Sequence, residues 1–193
     1  MSLRIYGNRL IKTLPGGDTR PTPSRVRQAL FNIWQGEIEG CRWLDLCSGS
    51  GSMGAEALCR GASLVVGIEQ SGRAAAIVQE NWQKVAKPTQ QFRLLRGDLL
   101  QKLPTLSGQT FDRIYFDPPY ASDLYESALE AIARHNLLAP AGEIAVEHGG
   151  DRFTEPALTA LLPRIAPLTP CREKDYGNTS LIFFRHEPGE MLE

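Results

Sequence analysis

A chain of 193 residues and 21.3 kDa, 42% hydrophobic and 22% charged, is sized for one globular domain with a small extension, which argues against a two-domain enzyme. It has no apolar run near the roughly 18 residues of a membrane span. The net charge of −1 hides an asymmetry: residues 1–42 carry seven Lys or Arg against three acids, a balance of +4, so the remainder sums to −5. A basic end suits a polyanionic partner, although a solvated helix face has the same composition. The first residues, MSLRIYGNRL, are basic but lack the apolar core and cleavage site of a secretory signal, so a cytoplasmic location is expected. Cys41, Cys47, Cys59 and Cys171 form no C-x-x-C pair and the three histidines are scattered, so no metal framework is expected. Reduced thiols fit the cytoplasm.

In chain order, LRIYGNRLIKT places two short apolar-alternating runs around Gly7-Asn8, a pair that tolerates positive φ, and predicts a small hairpin. LPGGDTRPTPS reads as loop. Ser24 is a candidate N-cap for a basic amphipathic helix in which Val26, Leu30, Ile33 and Trp34 share a face before Gly36. From Arg42 onward strands are predicted at WLDLC, SLVVGIE, FRLLRGD, FDRIYFD and GEIAVEH. Helical patterns separate them at Ser52 to Arg60, Gly72 to Val85, Leu99 to Leu103 and Asp123 to Leu138. Such alternation implies right-handed crossovers and a doubly wound, mostly parallel sheet, an α/β fold. The tail RIAPLTPCREKDYGNTSLIFFRH looks like two strands without a helix between them, an antiparallel hairpin closing one edge.

The first strand runs into DLCSGSGSMGAEAL, where Gly49, Gly51 and Gly54 match G-x-G-x-x-G and Glu69 follows at the end of the next strand. Glycines let the backbone pass close to a ligand, and a second-strand acid accepts hydrogen bonds from two ribose hydroxyls. An adenosine-type cofactor follows, either a nicotinamide dinucleotide or S-adenosylmethionine. Asp45, inside the first strand, is suited to a cationic loop or a ligand amine and poorly suited to a pyrophosphate. Asp98, ending the third strand, suits an adenine amine or, equally, the N-cap of the next helix. Together these acids favour the methyl donor. Cys47 is read as a small buried hydrophobe rather than a nucleophile.

The fourth strand ends in FDPPY. Ligands of parallel sheets bind beyond the carboxyl ends of the strands, which brings Asp117 to the cofactor. Pro118 and Pro119 stiffen the backbone and remove its N–H donors, leaving a carbonyl and the Asp117 carboxylate as neighbouring acceptors, with Tyr120 as a flat face. That set suits an exocyclic amine on a stacked nucleobase. The plain alternative is a rigid turn.

DPPY with LDLCSGSGSMGAEAL resembles the class I S-adenosylmethionine-dependent amino-methyltransferases, and TRPTPSRVRQALFN with RIYGN is similar to the RsmD family, over nearly the whole chain. The resemblance implies a Rossmann-like methyltransferase fold and methylation of the exocyclic N2 amine of one guanine in 16S ribosomal RNA, within the small subunit or an assembly intermediate. It implies that Gly49, Ser50, Gly51, Glu69, Gln70, Asp98 and Leu99 line the cofactor site, and that Asp117, Pro118, Pro119 and Tyr120 hold the base. Arg20, Pro21 and Thr22 would cover the cofactor. Residues 1–40 are expected to form an RNA-facing, cofactor-covering hairpin and helix, and 41–193 the catalytic domain. Arg4, Arg9, Lys12, Arg25 and Arg27 are expected to meet phosphates. A DNA-adenine or protein-glutamine methyltransferase, a nicotinamide oxidoreductase, or a non-catalytic RNA-binding assembly factor are the other readings.

Overall fold

The computed structural model describes residues 2–14, 24–150 and 152–187. Strands β1 (Ser2–Ile5) and β2 (Arg9–Lys12) pair antiparallel around a 3-10 turn in which Gly7 and Asn8 take φ of +70° and +62°, the geometry for which that pair was read. Helix α1 spans Ser24–Ile33, and the residue that would precede Ser24 as a cap lies outside the described residues. Then follow β3 (Arg42–Leu46), α2 (Ser52–Cys59), β4 (Leu64–Glu69), α3 (Gly72–Val85), β5 (Gln91–Arg96) and α4 (Leu99–Lys102). The chain closes with β6 (Phe111–Phe116), α5 (Leu124–Arg134), β7 (Leu138–His148), α6 (Glu155–Ile165), β8 (Leu168–Asp175) and β9 (Ser180–His186).

The main sheet has the order β5-β4-β3-β6-β7-β9-β8, with β5 to β7 parallel and β9 and β8 antiparallel. The connections change direction between β3 and β6, so a crevice opens beyond Leu46 and Phe116. The predicted α/β sheet and its antiparallel edge are therefore present, with β9 inserted between β7 and β8.

One helix end, one strand start and one whole helix differ from expectation. Helix α5 stops at Arg134 because Asn136 takes φ +50°, and Leu138 already belongs to β7. Helix α6 falls in a stretch for which no element is predicted. Pro156 falls in the first turn, where its missing N–H costs nothing, and Leu161 and Ile165 bury the inner face.

Strand alternation divides the apolar side chains between two cores. Leu44, Val66, Ile114 and Ile144 face α4, α5 and α6, whereas Trp43, Val65, Tyr115 and Ala145 face α1, α2 and α3. Trp43 stacks on Phe31 of α1 at 5.3 Å and meets Trp34 edge-on at 5.5 Å, so α1 is anchored in the second core. Truncating Trp43 to alanine would cost about 3–5 kcal/mol and loosen that helix first.

Candidate active site

Beyond the carboxyl ends of β3, β4, β5, β6 and β7 lies a cavity of about 510 Å³. Asp45, Gly49, Ser50, Glu69, Gln70, Asp98 and Leu99 line one half, and Asp117, Pro118, Pro119 and Tyr120 the other. A more open hollow of about 580 Å³ over β4 and β5, lined by Gln90, Phe92 and Arg93 among others, gathers none of the predicted residues.

The first half is built from backbone held by buried side chains. Gly49 and Gly51 take φ of +56° and +70°, which reverses the chain between β3 and α2. Glu69 accepts from the Gly49 N–H through Oε2 and from the Ser71 N–H through Oε1, each at 2.8 Å. Each of its oxygens keeps a second lone pair for a ribose hydroxyl. Asp45, expected at a cationic loop or ligand amine, accepts instead from the Gly54 N–H at 3.0 Å and so fastens the first turn of α2. Burial pushes its carboxyl up to about 8, opposed by that N–H and assisted by the charge of Glu69. Asp98 caps α4 by accepting from the Gln101 N–H at 3.0 Å, the alternative weighed for it, while still lining the cavity.

Gly51, expected on the lining, faces away from it: a Cβ there would stand 2.8 Å from Trp82 Nε1 and 2.9 Å from Val78 Cγ1. Trp82 Nε1 donates to the Gly51 carbonyl at 2.8 Å. Asn81 Nδ2 donates to the Ser50 carbonyl at 2.8 Å and to the Lys12 carbonyl at 2.9 Å, and its Oδ1 accepts from the Lys12 N–H at 2.8 Å. This one amide ties β2 to the glycine loop, and Thr13 and Leu14 continue from it onto the cavity wall.

The second half is built from side chains. Asp117 is half-buried, Pro118 buried and Pro119 exposed, and the Pro119 carbonyl accepts from the Ser122 N–H at 2.8 Å to close the turn. Tyr120, 43% exposed, donates from its hydroxyl to Glu147 Oε1 at 3.0 Å and lies 2.9 Å from Thr179 Oγ1. Tyr115 donates to the other Glu147 oxygen. Burial pushes the Tyr120 phenol up to about 12, opposed by the Thr179 hydrogen bond and assisted by Glu147, so it remains a proton donor at neutral pH. Burial also pushes the Cys47 thiol up to about 12, which agrees with an inert cysteine.

Arg20, Pro21 and Thr22 lie outside the described residues. Arg27, expected at a phosphate, is corrected: it is 2% exposed, its Nε donates to Glu56 Oε2 at 2.7 Å, and its Nη2 donates to the Arg4 carbonyl at 2.9 Å. It joins the hairpin to α2, and the helix face counted as basic is partly internal. Arg4 bonds Asn8, Lys12 pairs with Glu80, and Arg9 reaches the Val85 carbonyl at 3.4 Å, all from exposed positions. Exposed Arg25 stands 5.9 Å over the Tyr176 ring. Among the described residues no cluster of His, Cys, Asp or Glu could hold a metal ion, and no helix is long and apolar enough to cross a membrane.

Residues 3–185 match the family model described as conserved hypothetical protein 95. The ribosomal RNA small subunit methyltransferase D of Haemophilus influenzae is 32% identical over 149 residues, 77% of each chain. The solved structure of yhhF from Escherichia coli superposes with a TM-score of 0.79 at 26% identity, covering 97% of this chain and 99% of that one. The fold is shared more distantly with SMU.776, solved in complex with SAH, at a TM-score of 0.63 and 16% identity over 83% of this chain and 48% of that one. Matched from the first hairpin to the last strand, the chain belongs to the RsmD family of ribosomal RNA small subunit methyltransferases.

Proposed function

We propose that this chain transfers a methyl group from S-adenosylmethionine to the N2 amine of a guanine in 16S ribosomal RNA, acting in the cytoplasm on the small subunit or an assembly intermediate. The observation that carries the reading is the opening of the Asp117–Tyr120 turn onto the same cavity as the glycine loop, Glu69 and Asp98. The residues present fit the cofactor. Glu69 retains lone pairs for two ribose hydroxyls, the second oxygen of Asp98 remains for an adenine amine, and Leu99 offers a buried apolar wall. When bound, S-adenosylmethionine supplies an electrophilic methyl group on a sulfonium centre.

The chain's own groups prepare the acceptor. An exocyclic amine is a poor nucleophile because its lone pair is delocalised into the ring. The Asp117 carboxylate and the Pro118 carbonyl accept from its two N–H bonds, localising the lone pair and aiming it into the cavity. As the nitrogen takes on positive charge one proton must leave, and the Asp117 carboxylate receives it. Tyr120 supports the ring by stacking. Thr13 and Leu14 extend the hairpin over the cofactor half, which supports a covering role for residues 1–40, and Arg4, Arg9, Lys12 and Arg25 remain as phosphate contacts.

The test supplies labelled methyl donor with naked ribosomal RNA, small subunits, DNA and protein, and then resolves the labelled product. N2-methylguanosine from small-subunit RNA is expected. Label in adenine, glutamine or no acceptor at all would overturn the assignment.

A further inference from the structure

Tyr120 sits on a turn, 43% exposed, where a tyrosine side chain would ordinarily rotate about both of its torsions. Its hydroxyl is nevertheless gripped by two groups from distant parts of the chain, Glu147 at the end of β7 and Thr179 in the turn before β9. Resting on the proposed transfer to an RNA base, we infer that Glu147 and Thr179 are positioning residues: they fix the Tyr120 ring in the plane on which the acceptor base stacks.

Three observations converge on this. First, Glu147 is 2% exposed, and a carboxyl group is costly to bury at a strand position where its neighbours Val146 and Ala145 are apolar. Both of its oxygens accept from phenols, Oε2 from Tyr115 and Oε1 from Tyr120, and its backbone carbonyl accepts from the Tyr125 hydroxyl at 3.3 Å. A glutamine offers one acceptor oxygen and a donor, so it cannot receive both phenols. Second, with the Tyr120 proton given to Glu147, the Thr179 hydroxyl is left to donate to the Tyr120 oxygen, which makes the two contacts one continuous chain. Third, the ring is also confined from the side: a Cβ at Gly149 would stand 2.6 Å from Tyr120 Cδ2, so the strand end lies against the ring edge and a side chain there would displace it. The phenol is thus held at its oxygen by two hydrogen bonds and at its edge by backbone, with Tyr120 still lining the cavity.

A tether of this kind acts on orientation rather than on the area of the stacking face. Its loss should lower kcat while leaving the KM for RNA nearly unchanged. Tyr120→Phe removes both hydrogen bonds of the tether and Thr179→Val one of them, and each is expected to lower kcat about 10-fold, the value of one or two hydrogen bonds. Cofactor affinity and the KM for RNA should stay within about twofold. Thr179→Ser, which keeps the hydroxyl, should restore most of the loss. The double variant Tyr120→Phe/Thr179→Val should be no slower than Tyr120→Phe alone, because both changes cut one connection. Glu147→Gln should be about as slow as Tyr120→Phe; if it fails to fold, the Tyr120 and Thr179 variants decide.

A substrate-free measurement separates this inference from the proposed function. Relaxation of labelled tyrosine ring carbons should report a rigid Tyr120 in the parent protein and a mobile one in Thr179→Val. Unchanged ring mobility, a wild-type kcat in folded Tyr120→Phe or Thr179→Val, or multiplying losses in the double variant would each overturn the positioning role. Absence of RNA methylation by the parent protein, with the ring loosened as expected, would overturn the proposed acceptor and leave the tether standing.

Discussion

The two halves of the cavity are made by different means. The half read as the cofactor site comes from consecutive strand ends, β3, β4 and β5, and presents mainly backbone, with Glu69 holding the loop from the cavity side and Asn81 and Trp82 from behind. The half read as the acceptor site comes from β6, β7 and the turn before β9, and presents side chains that hold one another, Tyr115, Tyr120, Glu147 and Thr179. A donor common to many enzymes can be met by a loop shaped by glycines. An acceptor must be met by groups whose identity and orientation are particular to it.

If this division is right, single substitutions should separate the halves. Asp117→Ala should have the largest effect, a loss of transfer on the order of 100-fold or more, with donor affinity by calorimetry largely kept. Near-normal turnover by the folded variant would remove Asp117 from the chemistry. Glu69→Ala should act in the opposite sense, weakening the donor by roughly 1.5 to 3 kcal/mol while RNA binding persists. Because Gly49 and Ser71 lose their shared acceptor as well, equal weakening of both ligands would show that the halves are mechanically joined.

Asp45 tests the cofactor half through pH. Its carboxyl is raised from 3.8 to about 8 in the folded protein, so the native state holds a proton that the unfolded chain has released between those values. Its contribution to stability is therefore complete below its unfolded value, declines as pH rises, and is lost above about 8. Asp45→Asn should flatten that part of the stability profile measured by denaturant titration, and an identical profile in the variant would mean that Asp45 is ionised throughout. The smallest expected effect is on the acceptor side. Arg25 stands over Tyr176, whose N–H donates to the Thr179 carbonyl at 2.7 Å, so it flanks the turn that holds Tyr120. Arg25→Gln should make the salt dependence of RNA binding shallower by about 0.7 to 0.9 and leave the methylated nucleotide the same. An unchanged slope would assign Arg25 to the protein's own packing.

The contrast also explains how far the site could be read from the chain alone. Gly49, Glu69 and Asp98 stood out because the cofactor half is written in local order, one strand end after another, and DPPY because its four residues are contiguous. Glu147 left only a faint signal, an acid in the apolar run GEIAVEH, and Thr179 left none, since a threonine in a turn is ordinary. Arg27 was misplaced for a related reason: composition counts its charge but not its partner, and Glu56 is supplied by another helix.

Alternation of apolar runs with helical periods determined the α/β sheet, and the glycines and acids at successive strand ends pointed to an adenosine-type ligand, because both are patterns written along the chain and need no knowledge of which side chains meet. Only the folded chain decided which charges are buried, that Gly51 yields space to Trp82 instead of to a ligand, and that Tyr120 is held by Glu147 and Thr179. Those contacts join residues 27 to 59 positions apart, and nothing in a linear pattern specifies which distant side chain will arrive to complete a hydrogen bond.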